Sequence, residues 1–138
     1  MQSAPLLTDA SSPAAAFDVR LYAAEPARAA VETYIARRYA RCHGAQVDVF
    51  MPRLLAAGHD GRCVAAVGLR AAGAEPLFLE QYLDAPVETA VAAGLRQPVE
   101  RTQVVEIGNL AVSNRRAGQV LITLLIEALR GAGFRWLV

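Results

Sequence analysis

The stretch from Thr102 to Val138 constrains the fold more tightly than any other part of the chain. Val104, Val105, Ile107, Leu110 and Val112 read as a strand within Thr102 to Ser113. From about Arg115 to Arg130 the polar residues Arg116, Gln119, Thr123, Glu127 and Arg130 then recur three or four apart in one narrow stripe. That period is helical, and a helix apolar over the rest of its circumference is expected to be buried on most of it. Gly131 and Gly133 stop the helix, and Phe134 to Val138 (FRWLV) reads as a second strand. A strand, a helix and a strand in succession predict a right-handed crossover joining two parallel strands. An α/β or α+β sheet with helices on its faces follows.

The upstream half supplies the other elements. Phe17 to Ala23 alternates Phe17, Val19 and Leu21 against Asp18, Arg20 and Tyr22, the period of a half-buried strand. Pro26 suits a first helical turn; Val31, Tyr34, Ile35, Tyr39 and Cys42 mark one helix face, Arg28, Glu32, Arg37 and Arg41 the other, and Gly44 the end. Phe50 to Ala57 and Arg62 to Ala71 flank Gly58-His59-Asp60-Gly61 and predict an antiparallel hairpin. Glu75 to Pro86 mixes Leu77, Phe78, Leu79, Tyr82 and Leu83 with Glu80, Gln81 and Asp84, and reads as a loop or short strand before a brief helix at Val87 to Leu95.

Composition narrows what such a sheet can do. At 138 residues, 54% of them hydrophobic, the chain suits one domain. Residues 1–16 read as a disordered lead without a signal-peptide pattern, and 17–138 as the domain. A net charge of +1 gives no global field to recruit nucleic acid. No apolar run approaches the ~18–20 residues of a membrane span, so the expected address is cytoplasmic. Every basic residue is arginine, which excludes a catalytic lysine. Cys42 and Cys63 lack metal-ligand spacing; two buried free thiols are expected and no metal. His43 and His59 sit in turn contexts.

Chemistry concentrates where the strand meets the long helix. Ser113 or Asn114 can cap it, and Arg115, Arg116, Ala117 and Gly118 form its first turn. Free N–H groups, the helix dipole and two guanidinium groups favour a phosphate or pyrophosphate there. Gly118 would let a ligand approach the backbone. A well-capped helix with two solvated arginines is the alternative. Within the strand, Glu106 is a carboxylate among apolar residues that could pair with Arg70 or Arg101. Glu80 and Gln81 are the two polar residues of a segment, FLEQYL, otherwise made of apolar anchors and Tyr82. Asn109 either faces the substrate or holds a bulge suggested by Gly108.

The spacing Arg115-x-x-Gly118 resembles the Arg/Gln-x-x-Gly-x-Gly/Ala pyrophosphate loop of the Gcn5-related N-acyltransferases, with Val120 departing from the final Gly/Ala. The order of elements is similar to that fold, a mixed central sheet with helices on both faces. More distinctive are Phe50-Met51-Pro52, Gly68-Leu69-Arg70, FLEQYL at Phe78 to Leu83 and VEIGNLA at Val105 to Ala111. These resemble the bacterial family named thermostable hemolysin over about Phe17 to the end, and are similar also to the acyl-homoserine-lactone synthases.

The resemblance implies acetyl-CoA or a longer acyl-CoA as co-substrate, with pyrophosphate on Arg115 to Gln119. Leu110, Ala111 and Val112 would lie beside the thioester, and Asn109, Gln81 and Tyr82 near a small-molecule amine acceptor. Glu106, or as second choice Glu80, would be the general base that takes a proton from the attacking amine. It implies further elements after Val138, so a C-terminally truncated domain is expected, with an uncovered strand edge that would favour a homodimer. A non-catalytic domain that binds a ligand or partner is the competing reading. Direct lysis fits less well, because the most apolar helix is better explained as core.

Overall fold

The computed structural model describes residues 17–23 and 26–138; the lead expected over residues 1–16 lies outside them. Five strands form one sheet in the order β1 (Asp18–Tyr22), β2 (Arg53–His59), β3 (Arg62–Ala71), β4 (Val104–Val112) and β5 (Trp136–Leu137). The first four pair antiparallel, and β5 runs parallel to β4 through Val104↔Trp136 and Val105↔Leu137. The sheet is therefore mixed, as the crossover required.

The β2–β3 connection is tighter than the four-residue turn expected. His59 pairs with Arg62, leaving Asp60 (φ 49°) and Gly61 (φ 74°) as a two-residue turn with both residues at positive φ. Such turns match the twist of the strands they join.

Strand alternation divides the core between two faces. Leu55, Ala57, Ala65, Val67, Leu69 and Val105 meet α3 (Arg115–Gly131), which contributes Ala117, Leu121, Leu125 and Leu129. These four helix residues are spaced by four and form a single buried stripe. The helix is less enclosed than its sequence suggested: Ile126 is 44% exposed, because only one sheet face is there to cover it. On the opposite face Leu54, Ala56, Ala66 and Ala111 meet Val31 and Ile35 of α1 (Arg28–His43).

Several boundaries depart from expectation. Phe50, Met51 and Pro52 lie outside β2, since proline offers no ladder donor. Phe78–Tyr82 is a 3₁₀ turn leading to α2 (Val87–Leu95), and Arg101–Gln103 is a second one before β4. Arg28, read from the sequence as a solvent-facing residue, is buried because it falls on the same helical stripe as Val31 and Ile35. Both cysteines are free, as expected, but Cys42 is exposed and Cys63 half-buried, so neither is the fully buried thiol expected.

Candidate functional site

The face carrying α1 continues past that helix along β3 and β4 as three cross-strand pairs: Ala66↔Ala111, Gly68↔Gly108 and Arg70↔Glu106. Between the first two, β4 has three steps against two on β3, so Asn109 and Leu110 together oppose Val67. This is a β-bulge, and Asn109 takes its left-handed position at φ 51°. Asparagine tolerates that conformation better than most side chains. Its amide is engaged: Oδ1 accepts from Met51 N–H at 2.8 Å, and Nδ2 donates to Val49 O at 3.4 Å. Of the two roles open in the sequence, holding the bulge is the one its contacts display.

The loop before β2 is fixed from its other side by Arg28. Its guanidinium donates to Met51 O at 2.6 Å and Pro52 O at 2.8 Å while pairing with Glu32. Sequence reading missed this residue as part of the site. Its helical spacing with Val31 and Ile35 was the available signal.

Glu106 and Glu80 grip the 3₁₀ turn between them. Glu106 is 4% exposed; its oxygens accept from Leu79 N–H at 2.7 Å and Phe78 N–H at 3.1 Å, with Arg70 Nη1 at 3.7 Å. Thus Glu106 does approach Arg70, but backbone amides are its nearer partners. Arg101 belongs instead to Glu80. Its guanidinium meets both Glu80 oxygens at 2.7 and 2.8 Å and reaches Glu88 at 2.9 Å. Glu80 also accepts from Leu77 and Val87 N–H, so it serves the start of α2, where Pro86 has no capping side chain. The Arg101 bond, then these two amides, hold the Glu80 carboxyl down at about 2. Gln81 and Tyr82 point outward from the same turn, with Tyr82 edge-on to Phe78.

The two carboxylates occupy the ends of one segment and account for its sequence: the N–H groups of Leu77, Phe78, Leu79 and Val87 all go to carboxylate oxygens. Hydrogen bonds to a charged acceptor are roughly twice as strong as neutral ones. The turn is thereby fixed against β4, and Leu77, Leu79 and Leu83 pack beside it on a third apolar cluster with Ala72, Val87 and Val104.

At the other end of β4, Asn114 caps α3 and its Oδ1 accepts from Ala117 N–H at 2.9 Å. Gly118 N–H bonds to Asn114 O at 3.2 Å. Arg115 and Arg116 thus keep the first two helix N–H groups and expose their side chains, with Arg116 6.0 Å from the Phe17 ring. Ser113, the other cap candidate, meets Tyr34 Oη at 2.9 Å instead. Gly118 has a packing role beside the ligand approach anticipated for it. A Cβ there would stand 3.2 Å from Val112 Cγ1, so its bareness lets α3 close onto β4. Gln119 is exposed and Val120 half-buried.

Leu110 is 45% exposed, whereas Ala111 is buried. Ser113 N–H donates to Val64 O on β3, so ladder alternation turns Val112 N–H toward the opposite edge. β5 pairs only with the beginning of β4. Burial pushes the Cys63 thiol up to about 11, which keeps it neutral and unsuited to nucleophilic attack. Among the described residues no three His, Cys, Asp or Glu side chains converge as metal ligands, and no helix is long and apolar enough to cross a membrane.

Comparison with solved structures places this architecture beside an N-acyl amino acid synthase from uncultured soil microbes, FeeM. The TM-score is 0.64 at 14% identity, over 88% of this chain and 69% of that one. The acyl-homoserine-lactone (AHL) synthase LasI aligns at 13% identity and a TM-score of 0.44, over 84% and 62% of the respective chains. The likeness to FeeM establishes a shared α+β fold. No curated protein matches the sequence. The sequence model for thermostable hemolysin, by contrast, matches residues 21–138, nearly the whole described sheet and both helix layers, and the chain belongs to that family.

Proposed function

We propose that the domain binds an acyl thioester, acyl-CoA in the simplest case, and transfers the acyl group to a small-molecule amine. The observation that carries this reading is the bulge at Asn109 and Leu110. It interrupts β4 where β5 leaves the strand's edge unpaired, a few residues before the α3 terminus at which Arg115 and Arg116 present two N–H groups and two guanidinium groups. Diphosphate binding at that terminus uses the helix dipole and charge-assisted hydrogen bonds. Leu110, Ala111 and Val112 then flank the pantetheine, and backbone N–H groups of this edge polarise the thioester carbonyl.

In the transfer itself, the amine nitrogen forms a bond to the carbonyl carbon, the carbon–sulfur bond breaks, and the amine proton ends on the departing sulfur. Glu106 lies on the acceptor side of β4, and each of its oxygens has a second lone pair beyond those used by Phe78 and Leu79. It can relay the proton through water. Glu80 has a different role: Arg101 and two amides occupy it, so it positions the Phe78–Tyr82 turn, with Gln81 and Tyr82 at the acceptor entrance.

The test is thermal denaturation with acetyl-CoA and longer acyl-CoAs. Ligand at about 100 times its Kd stabilises the folded state by about 2.7 kcal/mol. Arg115→Ala combined with Arg116→Ala should weaken binding about tenfold or more and leave the ligand-free melting temperature within about 2 °C, because both side chains are exposed. Absence of stabilisation by every acyl-CoA would remove the proposal.

A further inference from the structure

The pair Gly68↔Gly108 removes two neighbouring Cβ atoms from the sheet face that also bears Arg70 and Glu106. Met51 occupies the space. A Cβ built on Gly68 would stand 2.6 Å from Met51 Cβ and Cγ, and one built on Gly108 would stand 2.6 Å from Met51 Cε. The side chain therefore lies along the sheet from one glycine to the other. Its backbone is fixed by Asn109 at the N–H and by Arg28 at the carbonyl. Only the unbranched portion beyond Cβ retains freedom, and methionine adapts to variable space better than branched side chains.

The location gives this plug a consequence. Gly108 immediately precedes the bulge residue Asn109, and Glu106 is the next residue on the same face of β4. An acyl group held at the bulge and attacked from the Glu106 side extends along this face into the Met51 side chain. Packing alone does not call for two glycines inside a sheet, where each gives up side-chain contact. The arrangement exchanges two fixed Cβ atoms for one movable group.

We infer that Met51 sets the length of acyl chain the domain accepts, a specificity role that rests on the acyl-thioester reading. With methionine in place the slot is filled, and the substrate class is a short acyl thioester. Removing Cγ, Sδ and Cε opens a channel for about three more chain carbons between the glycines.

The test compares wild type, Met51→Ala and Met51→Leu across acyl-CoAs from two to twelve carbons, reading ligand-induced stabilisation and amine-dependent release of CoA thiol. Met51→Ala should move the optimum about three carbons longer, with relative kcat/KM for the longer chains rising about tenfold or more. Met51→Leu keeps the slot apolar and should shift the optimum by about one carbon, which maintains the test if the alanine variant folds poorly. An unchanged chain-length profile in variants that bind acyl-CoA overturns the role of Met51 alone. Failure of wild type and variants to bind any acyl-CoA overturns it together with the acyl-thioester reading.

Discussion

Replacing Glu106 by alanine separates its structural work from its proposed chemistry. The carboxylate holds Leu79 N–H at 2.7 Å and Phe78 N–H at 3.1 Å, and a hydrogen bond to a charged group contributes about 1.5–3 kcal/mol. Phe78 is more than half exposed, so water recovers part of the loss at its amide. Arg70 keeps Glu75 at 3.4 Å and is not left as an isolated charge. A net cost of about 2–4 kcal/mol follows, equivalent to a fall of roughly 10 °C in the melting temperature of a domain this size. Glu106→Gln should cost about 1–3 kcal/mol, because its amide NH₂ must face one of the two N–H donors.

Circular dichroism melts and urea titrations of both variants measure these losses. A change below about 0.5 kcal/mol in Glu106→Ala would refute the account of the carboxylate as the anchor of the 3₁₀ turn. Acyl-transfer rates measured well below each melting transition address the other role. Full activity in the folded variants would dismiss Glu106 as the proton relay, whatever its effect on stability.

Glu80 predicts a pH dependence. Its folded carboxyl lies at about 2 against an ordinary value of 4.5, so its stabilisation is fully present above 4.5 and is lost as pH falls toward 2. Urea midpoints taken from pH 5 to pH 2 should decline, and Glu80→Gln should lessen that decline; identical slopes would contradict it. The two glycines under Met51 should respond unequally to alanine. At Gly68 the new Cβ meets Met51 Cβ, which its clamped backbone cannot move, costing about 1–3 kcal/mol, whereas at Gly108 it meets the flexible Cε end and should cost less than half as much. Equal losses by chemical denaturation would argue against the clamp.

The fold was legible where periodicity operates. Alternation in Val19 and Leu21, and helical recurrence through Leu121, Leu125 and Leu129, report which face is apolar, and apolar faces must be buried, while the unbroken Ala/Val/Gly run within 62–71 marks a central strand with packing close against it. Phe78–Tyr82 was illegible by the same rule. Its conformation depends on two carboxylates, one of them 28 positions along the chain, and no local pattern records that partner. Arg28 was misread because charge suggested solvent, while its guanidinium had carbonyls at Met51 and Pro52 waiting inside.

The sequence by itself determined the succession of elements, the mixed sheet and the capped, arginine-bearing start of α3, since each follows from local period, turn chemistry or chain order. It also isolated Glu106, Glu80 and Asn109 as polar residues in apolar surroundings. Only tertiary structure decided what they face: Glu106 and Glu80 a shared turn, Asn109 the Met51 backbone, Gly118 the side chain of Val112. A one-residue bulge exchanges the faces of a strand, and pairing partners tens of residues apart decide where that bulge falls.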